Sequence, residues 1–295
     1  MSKKEKVQII NRFSIFQRIE HVILLISFTT LSVTGVPQKF IDYPIADAFI
    51  KFFGGIEIVR VIHHIAAVVF ILEAVYHGVV IGYKLYVTST RATMLPGLQD
   101  AKDGLQALAY NFGLGKSRPK MGRYSFDEKM EYWAMLWGWV VMSLTGFMLW
   151  NPIAVTRFLP GVAIPVAKAA HGAEAILAVL AILIWHFYNV HLRHFNKSMF
   201  TGKISRHEME EDHGQEMAEI DAGTATRTVS PAQIKKRSRI YYPIAAVLSL
   251  AMLFGIYKFV TLETTSVTTL PPAERIQIYE RQTPTPIPST QTPTP

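Results

Sequence analysis

The sequence predicts an all-α integral membrane protein, a bundle of four transmembrane helices followed by a fifth, C-terminal transmembrane helix. Three observations carry this. Apolar stretches recur near 20–37, 61–83, 132–150, 172–190 and 240–257, each close to the roughly 20 residues that a helix needs to cross about 30 Å of hydrocarbon. Half of the 295 residues are apolar and the mean hydropathy is positive. Histidines stand in or beside the first, second and fourth stretches, where an ionisable ring is costly unless it is paired or liganded.

The first stretch follows a basic tail and begins VILLISFTTLSV, but no A-x-A cleavage site follows, and Gly35-Val36-Pro37 reads as a helix end. It is therefore expected to be retained as span 1. Spans 1 and 2 are joined by KFIDYPIADAFIKFFGG, aromatic enough to lie at an interface. A loop over 84–129 follows span 2, and in it Leu98, Ala101, Leu105, Leu108 and Ala109 fall on one face of a short amphipathic helix. Span 3 has aromatic residues at both ends and no histidine, and its Gly138 and Gly146 allow another helix to approach closely. Span 4 lies within AHGAEAILAVLAILIWHFYNVH, residues 170–191. The expected units are a core over 1–206, a charged linker over 207–239, span 5 over 240–260 and a tail over 261–295 ending PTPIPSTQTPTP, whose composition forms no packed core. His194, His207 and His213 fall in or beside the charged region and read as solvated surface.

Charge gives the orientation. Lys and Arg number five in 1–18, two in 37–59, eight in 84–129, two in 151–170, nine in 193–239 and two in 261–295. Five spans place the three basic segments on one side, so the N-terminus is expected in the cytoplasm and the C-terminus outside. Basic loops beside anionic lipid also account for the net charge of +8 without nucleic acid as a partner. The absence of cysteine excludes disulfides, thiolate metal sites, protein-ligated iron–sulfur clusters and thioether-attached haem.

The histidines fall at two depths. Fourteen residues separate His63 from His77, and fifteen separate His171 from His186, so each interval covers roughly 21 to 22 Å at about 1.5 Å per residue. At about 100° per residue the paired rings differ by only about 40° and 60° in azimuth and can face one interior. The outer level offers His63 or His64 with His171, and the inner level offers His186 with His21 or His77. Two neutral imidazoles facing each other across a gap are what a six-coordinate haem iron requires, so two stacked b-type haems account for both the duplication and the spacing. His64 and His191, near span ends, read as interfacial or hydrogen-bonded residues. Zinc takes about four compact ligands; Glu73 and Glu174 are candidate companions, but Glu73 lies ten residues beyond His63 and shares no obvious compact site with it.

Four stretches together resemble the cytochrome b, or gamma, subunit of membrane-bound respiratory formate dehydrogenases and related di-haem anchors. They are RFSIFQRIEHVILLISFTTLSVTGVPQKF, in which His21 follows Arg18 by three; VRVIHHIAA, in which His63 follows Arg60 by three; GRYSFDEKMEYWAMLWGWVVMSLTGFMLW; and the span 4 stretch with its sequel TGKIS. They cover about 12–206. The resemblance implies that His21 and His186 ligate an inner haem and that His63 and His171 ligate an outer one, which favours His21 over His77 as a ligand. It suggests that Arg18 and Arg60 pair with haem propionates, interfacial snorkelling being the alternative for both, and that GRYSFDE and the residues around His186 help line a quinone pocket. His77 is left as an alternative ligand, a propionate or quinone partner, or a structural residue.

The resemblance further implies a multi-pass protein of the prokaryotic cell membrane, passing electrons between membrane quinone and peripheral iron–sulfur and catalytic subunits. Such a chain performs no primary substrate chemistry itself. The His171 to His186 interval is one residue longer than the formate dehydrogenase pattern, and span 5 and the Pro/Thr tail are additions. These departures keep a hydrogenase or a sulfur-oxyanion reductase open as the partner enzyme, and a haem-free membrane anchor is the reading from another class.

Overall fold

A computed structural model describes residues 8–193 and 195–261. Among the described residues the chain is all-α apart from one two-stranded sheet, and five helices are long and apolar enough to cross a membrane, over Ile15–Lys39, Ile56–Val87, Phe126–Trp150, Ala163–Leu192 and Pro231–Thr261. The expected all-α membrane architecture is therefore what the chain adopts.

Each span begins or ends where local chemistry dictates. Helix α1 (Ile15–Lys39) starts at Ser14, whose hydroxyl accepts from the Gln17 N–H while the Gln17 side chain reaches back to the Ser14 backbone, satisfying two of the donors that a helix N-terminus leaves unpaired. A short α2 (Pro44–Phe52) follows, opened by proline at its first position. Helix α3 (Ile56–Gly82) continues as one π-helical stretch over Tyr83–Val87. Helix α4 (Leu98–Asn111) is the expected amphipathic helix; Leu98, Leu105 and Leu108 are exposed, and it docks instead through its polar edge, with Lys129 on Asp100 at 2.6 Å. An apolar face left outward beside a bilayer suits an interfacial helix.

Helix α5 (Phe126–Trp150) repeats the N-terminal device of α1, Ser125 and Glu128 exchanging bonds. After a single turn, α6 (Pro152–Val155), comes α7 (Ala163–Leu180), which continues in π geometry over Ala181–His186 and again over Tyr188–Arg193. The bundle forms by α1 packing on α3 and α7, and α5 on α7 and α3.

The end of the bundle from which α1 and α5 start is closed by a small cap. Strand β1 (Ile9–Asn11) pairs antiparallel with β2 (Lys203–Ser205), Ile10 opposite Ile204, after one turn of helix, α8 (Ser198–Thr201). At Gly202 the backbone takes φ 78°, and a Cβ there would meet the Phe13 carbonyl oxygen at 2.8 Å; only glycine fits both demands. Its own carbonyl accepts from the Arg12 and Phe13 N–H groups at 2.8 and 3.2 Å.

Helices α9 (Arg206–Asp212) and α10 (Gly214–Asp221) then bring Met209 and Met217 onto Ile204, with Ile10 and Ile220 beside them. Burying such side chains is worth about 1.5–3 kcal/mol each, enough to hold the cap on the bundle. The segment expected as a charged linker over 207–239 thus folds into α9, α10 and the first turns of α11 (Pro231–Thr261). Helix α11 lies along α3, where the Tyr241 hydroxyl donates to the Val79 carbonyl. The Pro/Thr tail expected over 261–295 lies outside the described residues beyond Thr261, as does His194.

His213 departs from its expected place on solvated surface. It is only 4% exposed. Its Nδ1–H donates to the Gly122 carbonyl at 2.9 Å, and its Nε2 stands 2.9 Å from Arg12 Nη2, which supplies the hydrogen. A charged-looking sequence concealed this because the burying surface comes from Arg12 and the 122–128 segment, far away in the chain.

Candidate functional site

The four histidines expected as ligands meet as two pairs. The His63 and His171 rings lie 6.4 Å apart between centroids, and those of His21 and His186 lie 6.5 Å apart. An imidazole nitrogen binds a metal at about 2 Å; two such bonds plus the radii of the two rings sum to about the observed separations. Each pair is drawn from the helices expected: α3 with α7, and α1 with α7.

The seat of each ring of the first pair has the same construction. Thr34 Oγ1 donates to the Thr30 carbonyl at 2.6 Å, so towards His63 Nδ1, 2.9 Å away, it can only accept. Thr145 Oγ1 donates to the Val141 carbonyl at 2.6 Å and faces His171 Nδ1 at 2.9 Å. Both rings therefore carry their proton on Nδ1 and keep the Nε2 lone pair, the tautomer that a metal ligand requires. The next residue makes room: a Cβ on Gly35 would meet His63 Cε1 at 3.0 Å, and one on Gly146 would meet His171 Cε1 at 3.3 Å. The Thr34-Gly35 and Thr145-Gly146 dipeptides, one in each of spans 1 and 3, are matching cradles.

The second pair is built differently. His186 Nδ1 lies 2.7 Å from Glu131 Oε2, so its N–H donates to the carboxylate and Nε2 is again left as the lone pair. His21 Nδ1 is buried without a hydrogen-bond partner. His186 is also the last residue of the first π-helical stretch of span 4, and a π turn accommodates one residue more than an α turn. The rotation expected from the long His171 to His186 interval is taken up there, within the helix.

The remaining candidates lie elsewhere. His64 stacks on Trp150, the rings 3.8 Å apart and within 15° of parallel. His191 sits between Phe187 and Phe195. His77 meets neither pair: its Nε2 is 3.2 Å from the Tyr132 hydroxyl and its Nδ1 is 3.6 Å from Glu20 Oε1. The Arg60 guanidinium is held by Glu57 at 3.2 Å, one turn away on α3. Arg18 lies under Gly202 with its Nε buried and unpartnered. Within GRYSFDE, Arg123 bonds Glu216 and the Arg12 carbonyl, and Glu128 bonds Arg12, so this segment holds the cap to the bundle.

The threonine and glycine seats are the parts that sequence reasoning missed. Their signal is the recurrence of Thr-Gly in spans 1 and 3, VTGV and LTGF, at positions that face the histidines of the neighbouring span. Glu131 carries no such signal, since nothing in the order of residues ties it to His186, 55 positions away.

No family model matches the chain. Over 107 residues it is 26% identical to the cytochrome b556(Fdn) subunit of the nitrate-inducible formate dehydrogenase of Escherichia coli K12, and equally to the same subunit of Escherichia coli O157:H7 and of Shigella flexneri. The matched stretch is 36% of this chain, and the chain spans about half the length, 49%, of the curated relatives it matches. It is thus distantly similar to formate dehydrogenase cytochrome b subunits.

Proposed function

We propose that the chain is a membrane-bound di-haem cytochrome b subunit, passing electrons between membrane quinone and a peripheral respiratory oxidoreductase of the formate dehydrogenase kind. The observation that carries this is the pair of opposed histidine couples, His63 with His171 and His21 with His186, each at a separation that suits one iron. A b haem held between each couple supplies one-electron ferric–ferrous exchange at an iron with no open coordination position. The distant similarity to a cytochrome b subunit supports haem b, and the duplication of the couples supports two of them.

The chain's own residues then act by fixing ligands. Thr34 and Thr145 hold the outer rings in the ligating tautomer, and Gly35 and Gly146 leave space for them to stand edge-on in the bundle. Glu131 orients His186 and raises its basicity through a hydrogen bond to a carboxylate. Arg18 and Arg60, one turn from His21 and His63, are the cations that would pair with the propionates. A quinone site belongs beside the His21–His186 pair, and the basic loops place that level on the cytoplasmic side. His77 stands outside the axial set, since its ring nitrogens face Tyr132 and Glu20.

A pyridine haemochrome assay with iron quantitation on the detergent-purified chain tests this. Two b haems per chain are expected, His21→Ala losing the inner one and His77→Ala retaining both. A colourless protein would refute the proposal, and loss of haem only in His77→Ala would overturn the ligand assignment.

A further inference from the structure

We propose that Glu20, Glu73 and His77 form a binding site for one divalent transition-metal cation, with Zn²⁺ the best fit, inside the bundle beside the His21–His186 pair. One ligand atom from each residue lies within 4.8 Å of the other two. Glu20 Oε1 and His77 Nδ1 are 3.6 Å apart, close to the edge of a tetrahedron drawn around an ion with bonds of about 2.0–2.2 Å. Glu73 and His77 are four apart on α3, one turn, so their side chains rise on one face, and Glu20 meets them from α1.

Charge and burial say that something is needed there. Glu20 and Glu73 are 8% and 6% exposed. Glu20 Oε1 and Glu73 Oε2 are both buried and accept no hydrogen bond. Among the described residues, neither carboxylate has a Lys or Arg at ion-pair distance. Two buried carboxylates beside one imidazole in a low-dielectric interior are costly unless compensated, and one dication balances both charges. An oxygen of each carboxylate is thus left without a partner in the cluster where the three ligand atoms converge.

His77 also has the partner that a ligating histidine requires. Its Nε2 lies 3.2 Å from the Tyr132 hydroxyl on α5; that oxygen can accept from an Nε2–H and so leave Nδ1 to bind, and a second hydrogen bond of this kind orients nearly every metal-bound histidine. Two carboxylates and one imidazole make a borderline-hard donor set without sulfur, which suits zinc and admits manganese. Three protein ligands leave a fourth position for water. Two neighbours in sequence tie the site to the inner histidine couple: Glu20 precedes His21, and Tyr132 follows Glu131, the residue that bonds His186.

The test uses the full chain in detergent with its native cofactors, stripped with a chelator, loaded with Zn²⁺, desalted and analysed for zinc by mass spectrometry, with haem measured separately. One zinc per chain is expected, with Glu73→Gln and His77→Ala each weakening binding at least tenfold while haem content and helicity stay at the wild-type level. X-ray absorption at the zinc edge of the wild-type protein gives a result that needs no variant: one imidazole among oxygen ligands is expected. Absence of bound zinc, binding by both variants as tight as that of the wild type, or a shell with two or more imidazoles would overturn the proposal. So would an infrared band of a protonated carboxyl in zinc-treated wild type that disappears in Glu73→Gln, because the pair would then be compensated by a shared proton.

Discussion

Glu131 Oε2 lies 2.7 Å from His186 Nδ1, a carboxylate bonded to a ring whose centroid stands 6.5 Å from that of His21. A carboxylate in this position makes the imidazole a stronger donor and favours the higher charge on a bound metal. Glu131→Gln keeps the shape and removes the charge. On the proposed ligand assignment, the expected outcome is a higher midpoint potential for the haem at the His21–His186 pair, with the haem at the other pair unmoved. The size follows from the stabilisation lost, about 60 mV for each ~1.4 kcal/mol in a one-electron couple. Optical redox titration of the purified protein measures it, and equal shifts in both haems would show that Glu131 acts on the bundle as a whole.

The Thr-Gly cradles invite a paired experiment. Thr34→Val and Thr145→Val each leave a buried imidazole N–H without an acceptor, at a cost of about 1–3 kcal/mol. Gly35→Ala adds a methyl 3.0 Å from His63 Cε1, tighter than packed carbons tolerate. All three substitutions are expected to lower occupancy of the His63–His171 site while the His21–His186 site stays full. Haem stoichiometry together with low-spin electron paramagnetic resonance separates the two. Gly146→Ala, with 3.3 Å of room, is expected to be the milder glycine variant.

His213 makes the cap sensitive to acid. Burial pushes its imidazole below the ordinary value, and the Arg12 guanidinium beside it adds to this, outweighing the opposite pull of Glu128. Above about pH 6.5, the unperturbed value, the ring is neutral in the docked and undocked states alike, and the bonds to Arg12 and Gly122 hold. As the pH falls below that value, the undocked segment takes up a proton that the docked one resists, so the cap loses stability. Protection factors of the β1–β2 amides from hydrogen exchange are expected to fall between about pH 7.5 and 5.5 in the wild type. In His213→Gln the pH dependence is expected to flatten.

How much of this was legible in the sequence depended on whether the signal was local. The five spans, the amphipathic α4 and the depths of His21, His63, His171 and His186 follow from apolar length and helical period, and these emerge in the structure as helices and as facing rings. The choice between His63 and His64 was not legible from spacing, because adjacent residues share a depth; it depends on which ring faces α7 and which one stacks on Trp150. Glu73 was weighed as a zinc companion of His63 and found too distant along the chain. Its compact partners are His77, one turn on, and Glu20, which arrives from another helix. His213 read as surface for the same reason, since the groups that bury it come from Arg12 and Gly122. Contacts between elements distant in sequence were the part that residue order did not disclose.

The orientation proposed for the bundle rests on the basic loops, and the chain is well suited to a direct measurement because it has no cysteine. Asp42, between α1 and α2, and Ser117, between α4 and α5, are both exposed. They stand beyond opposite ends of the bundle, because α1 runs away from the cap while α5 starts beside it. With eight Lys and Arg in 84–129 against two in 37–59, the orientation we propose has Ser117 in the cytoplasm. In intact cells, an impermeant maleimide is therefore expected to label Asp42→Cys and to spare Ser117→Cys until the membrane is opened. The reverse pattern would invert the protein. It would also carry the His21–His186 pair and the Glu20, Glu73 and His77 cluster to the external side, so that protons for quinone chemistry at that level would come from outside the cell.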